Sequence, residues 1–221
     1  MENAIFEEKK VSKAYMKLSL PLVLSMTVSL IYNLADTFFV AQTQNTNIVA
    51  GVSLCAPLFT TLMALGNIFG QGGSSLISRL LGKNETTATR RVSAFCFWGA
   101  ILTGVLMGFI MLLFRTPLLY VIGANEETFN FARDYYTWLA IGAPALVLSF
   151  IHSNLLRSEG MSKESMIGTM GGAIVNILLD PIFISVLGLN AGGAAMASVI
   201  GYIFSDVYFA VVVAKKSKVL T

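Results

Sequence analysis

The sequence predicts an all-α, polytopic membrane protein with six transmembrane helices, and three observations carry that expectation. Hydrophobic residues make up 55% of the chain and charged residues 12%, against about 25% charged in an ordinary soluble domain; mean hydropathy is +0.72. The apolar residues fall into runs close to the roughly 20 residues that a bilayer crossing needs. The short alternating segments of about 10 residues that mark membrane β-barrels are missing from the sequence.

The first run spans roughly Met16 to Val40 and is followed by the polar gap AQTQNTN. The second spans roughly Ile48 to Phe69, the third Val92 to Phe114, and the fourth Tyr135 to Leu156. RSEGMSKES leads into the fifth, Met166 to Leu187, and the short turn GLNAGG into the sixth, Ala194 to Ala214. Between the second and third runs, Gln71 to Lys83 is too polar to prolong a span. Leu76, Ile77, Leu80 and Leu81 share one helical face there, which fits either an amphipathic helix on the inner membrane surface or a solvated loop.

Basic residues set the orientation. With a cytoplasmic N-terminus, the inner segments hold Lys9, Lys10, Lys13, Lys17, Arg79, Lys83, Arg90, Arg91, Arg157, Lys163, Lys215, Lys216 and Lys218; the outer ones hold only Arg115 and Arg133. Thirteen of the 15 basic residues on one side argue for an even number of spans with both termini cytoplasmic. The expected organisation is a cytoplasmic segment over 1–15, a six-helix membrane unit over 16–214 and a cytoplasmic tail over 215–221. The expected location is the plasma membrane.

Several function classes are disfavoured. A dispersed net charge of +3 gives no footprint for nucleic acid. Cys55 and Cys96 both lie in apolar runs, and two isolated thiols make neither a disulfide framework nor a metal site. His152 is the single histidine. Without a nucleophile–base pair, phosphate loop or metal cluster, the chain is not expected to be an enzyme or to carry a cofactor.

Three carboxylates fall inside the spans: Asp36, Asp180 and Asp206. Each costs about 2.5–3.5 kcal/mol to insert at mid-helix, so such groups face a bundle interior or a water-filled cavity. At 1.5 Å per residue, Asp36 lies about 9 Å from the outer end of the first span and Asp180 about 12 Å from that of the fifth. They therefore share a level. Asn176, at i−4, faces the same way as Asp180; Asn33, at i−3, accompanies Asp36; Ser198 lies about 7 Å deep on the sixth span. Carboxylate, amide and hydroxyl oxygens at one height suit Na⁺ or H⁺. Pro181 cannot donate to the carbonyl of Ile177 and leaves that oxygen free beside the site. Two carboxylates without a base at their level cannot both ionise cheaply unless a cation joins them, so H⁺ and Na⁺ are expected to compete. Asp206 lies nearer the cytoplasmic side, either lining an inner vestibule or pairing with a base such as Lys17. Met26, Met63, Met107 and Met170 are either pliable wall contacts or plain packing.

The segments LPLVLSMTVSLIYNLADTFFVAQ, GQGGSSLISRLLGK, NLLRSEG and NILLDPIFI resemble the N-terminal half of the multidrug and toxic compound extrusion (MATE) family, in its DinF-like prokaryotic branch, from about Met16 to Ala214. The resemblance implies one six-helix lobe of a twelve-helix transporter that exports amphipathic or cationic drugs in exchange for H⁺ or Na⁺. It implies a cation site at Asp36, Asn176 and Asp180, with Ser198 as the helix-six hydroxyl and Tyr32 as an aromatic neighbour. Pro21 matches a helix-one proline associated with bending, whose alternative is a static kink. Residues 215–221 would then begin a linker to a second lobe. The chain contains no second copy of the repeat, so the expected partner is a second six-helix lobe in cis or a second copy as a homodimer. Alternative functions are a lipid-linked oligosaccharide flippase of the same superfamily, disfavoured because no Lys or Arg lies deep in a span, and a non-transporting membrane fragment.

Overall fold

A computed structural model of the protein describes residues 11–217 and Leu220. The expectations placed on 1–10 and on Lys218, and on the side chains of Lys13 and Lys17, lie outside the described residues. The helices are α1 (Val11–Ala41), α2 (Thr46–Leu54), α3 (Ala56–Gly82), α4 (Thr86–Leu113), α5 (Arg115–Val121), α6 (Phe129–Ser158), α7 (Ser162–Pro181) and α8 (Asn190–Lys216). Six stretches are long and apolar enough to cross a membrane: Ser19–Ala41, Thr46–Gly82, Thr86–Leu113, Phe129–Ser158, Ser162–Val186 and Asn190–Lys216. They follow the order of the six apolar runs.

Local chemistry explains the boundaries. The gap after α1 closes as a tight turn with Gln44 at φ 53°, and the Asn45 side chain caps α2 by accepting from Asn47 N–H at 3.0 Å. Pro57, in the first turn of α3, lacks an N–H for the α2 ladder, so the second span is jointed at Cys55. Asn125 accepts from the Glu127 and Thr128 N–H groups at 3.1 and 3.0 Å, starting α6 six residues before the expected Tyr135. After Pro181 the chain continues as a π-helical stretch, Ile182–Val186.

Gln71 to Lys83 is neither a separate surface helix nor a loop: its residues through Gly82 continue α3. Ile77 is fully buried and Leu81 packs on the core, whereas Leu76 is exposed. Hydropathy registers the polar residues on one side of this helix, but the opposite side still meets its neighbours.

α6 sits at the centre, packed on α3, α4 and α8; 67% of its most apolar stretch is buried, against 11% for α1. Lipid tails supply no hydrophobic drive between helices, so close backbone packing must hold them together. A Cβ on Gly108 of α4 would stand 2.5 Å from the Ala140 carbonyl of α6. α7 bridges α1 and α8, and a Cβ on Gly201 of α8 would stand 2.7 Å from the Gly172 carbonyl of α7. At the end of the bundle where α6 passes into α7, Lys216 Nζ reaches buried Glu164 at 2.7 Å, and Arg157 donates to Ser165 at 3.0 Å and to Ser153. Both cysteines are free and buried. The Cys55 thiol points at the Ala132 carbonyl, and Cys96 packs beside Gly73.

Candidate cation site

The Gly172–Gly201 approach lets the polar side chains of α7 and α8 meet. Asn176 and Asp180 stand one turn apart on α7 with 1% and 0% of their surface exposed. The Asn176 amide donates to Asp180 Oδ1 at 3.4 Å and to Ser198 Oγ at 3.2 Å. Tyr32 of α1 shares a hydrogen bond with Ser198 at 3.1 Å. Asp36 of α1 faces the same cluster and acts electrostatically on Asp180. Among the described residues, no Lys, Arg or His acts on either carboxylate.

The unsatisfied atoms are the informative ones. Four buried side-chain atoms among the described residues lack a hydrogen-bond partner: Asp36 Oδ1, Asn176 Oδ1, Asp180 Oδ2 and Asp206 Oδ2. Three of them belong to this cluster, and all are oxygens that can only accept while the carboxylates are ionised. Leaving a buried acceptor unpaired costs about 1–3 kcal/mol, more where it carries charge. A hard cation or a proton relieves that cost, and oxygen-only donors are the set that hard cations take. No group of three or more His, Cys, Asp or Glu placed to hold a metal ion together occurs among the described residues; the donor set here is two carboxylates, one amide and one hydroxyl.

Not every expected site residue joins the cluster. Asn33 is exposed and its amide donates back to the Ser29 carbonyl at 2.8 Å. At 100° per residue, positions i−3 and i−4 fall on opposite sides of Asp36. The structure turns Tyr32 inward and Asn33 outward. Pro21 lies within the unbroken α1, where Ser25 Oγ donates to its carbonyl at 2.9 Å. Pro181 ends α7 one residue after Asp180, where the π-helical stretch begins. Asp206 pairs with His152, Nδ1 to Oδ1 at 3.3 Å; the side chain of Lys17, the other partner expected for it, lies outside the described residues. Met26 is exposed, whereas Met107 packs on the core.

Two residues escaped the sequence reading. Tyr135 of α6 is buried and feels both Asp36 and Asp180. Tyr202 of α8 lies beside Tyr32 and feels Asp36. Tyr202 could have been found from its spacing, one turn beyond Ser198. Tyr135 had no such signal, because its helix is not adjacent in sequence to α1 or α8.

The family model MatE matches residues 21–182. Multidrug export protein MepA of Staphylococcus saprophyticus subsp. saprophyticus is 34% identical over 217 residues, 98% of this chain and 48% of that protein. A MATE protein crystallised in the straight conformation aligns with TM-score 0.88 and 31% identity over 93% of this chain and 46% of its own. A MATE protein in the bent conformation aligns with the same TM-score and identity over 95% and 47%. The chain spans about half the length of the curated relatives it matches.

Proposed function

Because the chain belongs to the MatE family, we propose that it forms one six-helix lobe of a cation-coupled multidrug exporter whose coupling site is Asp36, Asn176, Asp180 and Ser198. The observation that carries the reading is the convergence of three unpaired buried oxygens, Asp36 Oδ1, Asn176 Oδ1 and Asp180 Oδ2. One H⁺ or Na⁺ at these oxygens cancels one of the two negative charges and is shared by both carboxylates, because α1 brings one and α7 the other. Ser198 and Tyr32 tie α8 to α1 through one hydroxyl pair, so a change in the charge of the cluster is felt along α1. MATE proteins have been solved with straight and bent conformations, and Pro21 lies inside α1 with no backbone N–H to donate, a usual place for a helix to kink.

On this reading the exported compounds are amphipathic or cationic. The second lobe is supplied in cis or by a second copy, and both termini of the lobe face the cytoplasm of a prokaryotic cell. The test is export of a fluorescent cationic dye from cells that carry the complete two-lobe assembly. Asp36→Asn and Asp180→Asn, which keep the shape and remove the charge, are each expected to abolish export while membrane insertion is unchanged. Export retained by both variants would reduce the cluster to packing.

A further inference from the structure

The fourth unpaired buried oxygen, Asp206 Oδ2, lies outside the coupling site. Asp206 is eight residues past Ser198 on α8, about 12 Å further toward the inner end. Its partner is His152 of α6, with Nδ1 at 3.3 Å from Oδ1 and each residue 9% exposed. The imidazole lies between the rings of Phe97 on α4, at 5.7 Å, and Phe209 on α8, at 6.2 Å. Neighbouring hydroxyls are already engaged. Ser205 donates toward the carbonyls of Gly168 and Gly201 at 3.0 and 3.1 Å, and Ser153 bonds Ser165 and Arg157.

The other titratable groups on the surrounding helices have their own contacts. On α6 Arg157 is held by the serines, and on α7 Glu164 is held by Lys216. On α4 Cys96 packs against Gly73 of α3. On α8 the Tyr202 ring lies tilted against Phe59 and Phe150, and Tyr208 lies edge-on to Phe209. His152 is the one charge or hydrogen-bond partner of Asp206 among the described residues.

We propose that His152 and Asp206 form a second proton-binding site of the lobe, distinct from the Asp36–Asp180 cluster and on its cytoplasmic side. With a neutral imidazole donating Nδ1–H to Oδ1, the pair carries one buried negative charge and one orphan oxygen, a costly state. One added proton, on Nε2 or on Oδ2, makes the pair net neutral as imidazolium–carboxylate or as imidazole–carboxylic acid. The two groups share that proton. Ser198, Tyr202 and Asp206 recur at i, i+4 and i+8 on α8, giving one polar face that runs from the coupling site to this pair. Its role as the next acceptor for a proton leaving the coupling site inward rests on the antiport reading; the binding of the proton does not.

Because His152 is the only histidine, a ¹⁵N-histidine-labelled chain in bilayers gives the nitrogen resonances of this one ring. Titration from about pH 5 to about pH 8 is expected to show a single protonation step. Asp206→Asn should move its midpoint by at least about one pH unit, while Asp36→Asn and Asp180→Asn leave it in place. Proton uptake by the purified chain, read with an indicator dye, should fall by one proton when both groups are replaced, in the His152→Gln Asp206→Leu double variant, which covers the case in which Asp206→Asn alone does not fold. Ring resonances and proton uptake that both stay constant across the range, or a step indifferent to Asp206→Asn, would overturn the proposal. Failure of the antiport reading would instead appear as unimpaired dye export in the Asp36 and Asp180 variants, with the His152 step intact.

Discussion

The contact between α7 and α8 is the structural condition for the coupling site, and Gly201→Ala tests it. The added Cβ would stand 2.7 Å from the Gly172 carbonyl oxygen and 3.3 Å from the Asn176 Cβ. Ordinary carbon–oxygen contacts are about 3.3–3.6 Å, so the helices must separate by about 0.6–0.9 Å. If that shift passes to the Asn176–Ser198 hydrogen bond, now 3.2 Å, its length becomes roughly 4 Å and the bond is lost. Overpacking costs about 1–3 kcal/mol and the lost bond about 0.5–1.5 kcal/mol. The better helix propensity of alanine returns about 1 kcal/mol, which leaves a net loss of about 0.5–3.5 kcal/mol. Gly72→Ala on α3 is the control, since its Cβ meets nothing within 4 Å; it should be neutral or stabilising. Unfolding of both variants by SDS in mixed micelles, followed by circular dichroism, gives the two free energies. Equal stability of Gly201→Ala, Gly72→Ala and the parent chain would refute the close approach and with it the geometry of the site.

Other consequences can be checked alongside it. Ser198→Ala removes the hydroxyl that joins Asn176 to Tyr32 and should weaken cation binding severalfold, while Ser198→Thr should keep most of it; isothermal titration with Na⁺ compares them. Reporter fusions after Lys13 and after Lys216 should both read as cytoplasmic, and a periplasmic signal from either would break the even count of spans.

How much of this was legible in the sequence depends on which physical quantity each feature needs. The spans were legible because the cost of inserting charge segregates residues along the chain, and their order needs no tertiary information. The shared level of Asp36, Asp180, Asn176 and Ser198 was legible because helix rise is fixed at 1.5 Å per residue. Rotation about the helix axis was not: Tyr32 and Asn33 are neighbours in sequence, and only the packing of α1 on α7 decides which of them turns inward. The pairing of His152 with Asp206 joins residues 54 apart on helices that are not consecutive, so the depth argument placed Asp206 near the inner side without naming its partner. The Gln71 to Lys83 stretch misled because a helix with one polar side loses its hydropathy signal while Ile77 stays fully buried.

The central claim is that Asp36 and Asp180 share a cation, and infrared difference spectroscopy of the reconstituted chain tests it most directly. The carboxyl bands lost in the Asp36→Asn and Asp180→Asn variants identify the pair. These bands are expected to respond to pH, and Na⁺ to change them less as pH falls, because H⁺ competes for the same oxygens. Bands that respond neither to pH nor to Na⁺, or that respond identically when both aspartates are replaced, would contradict it.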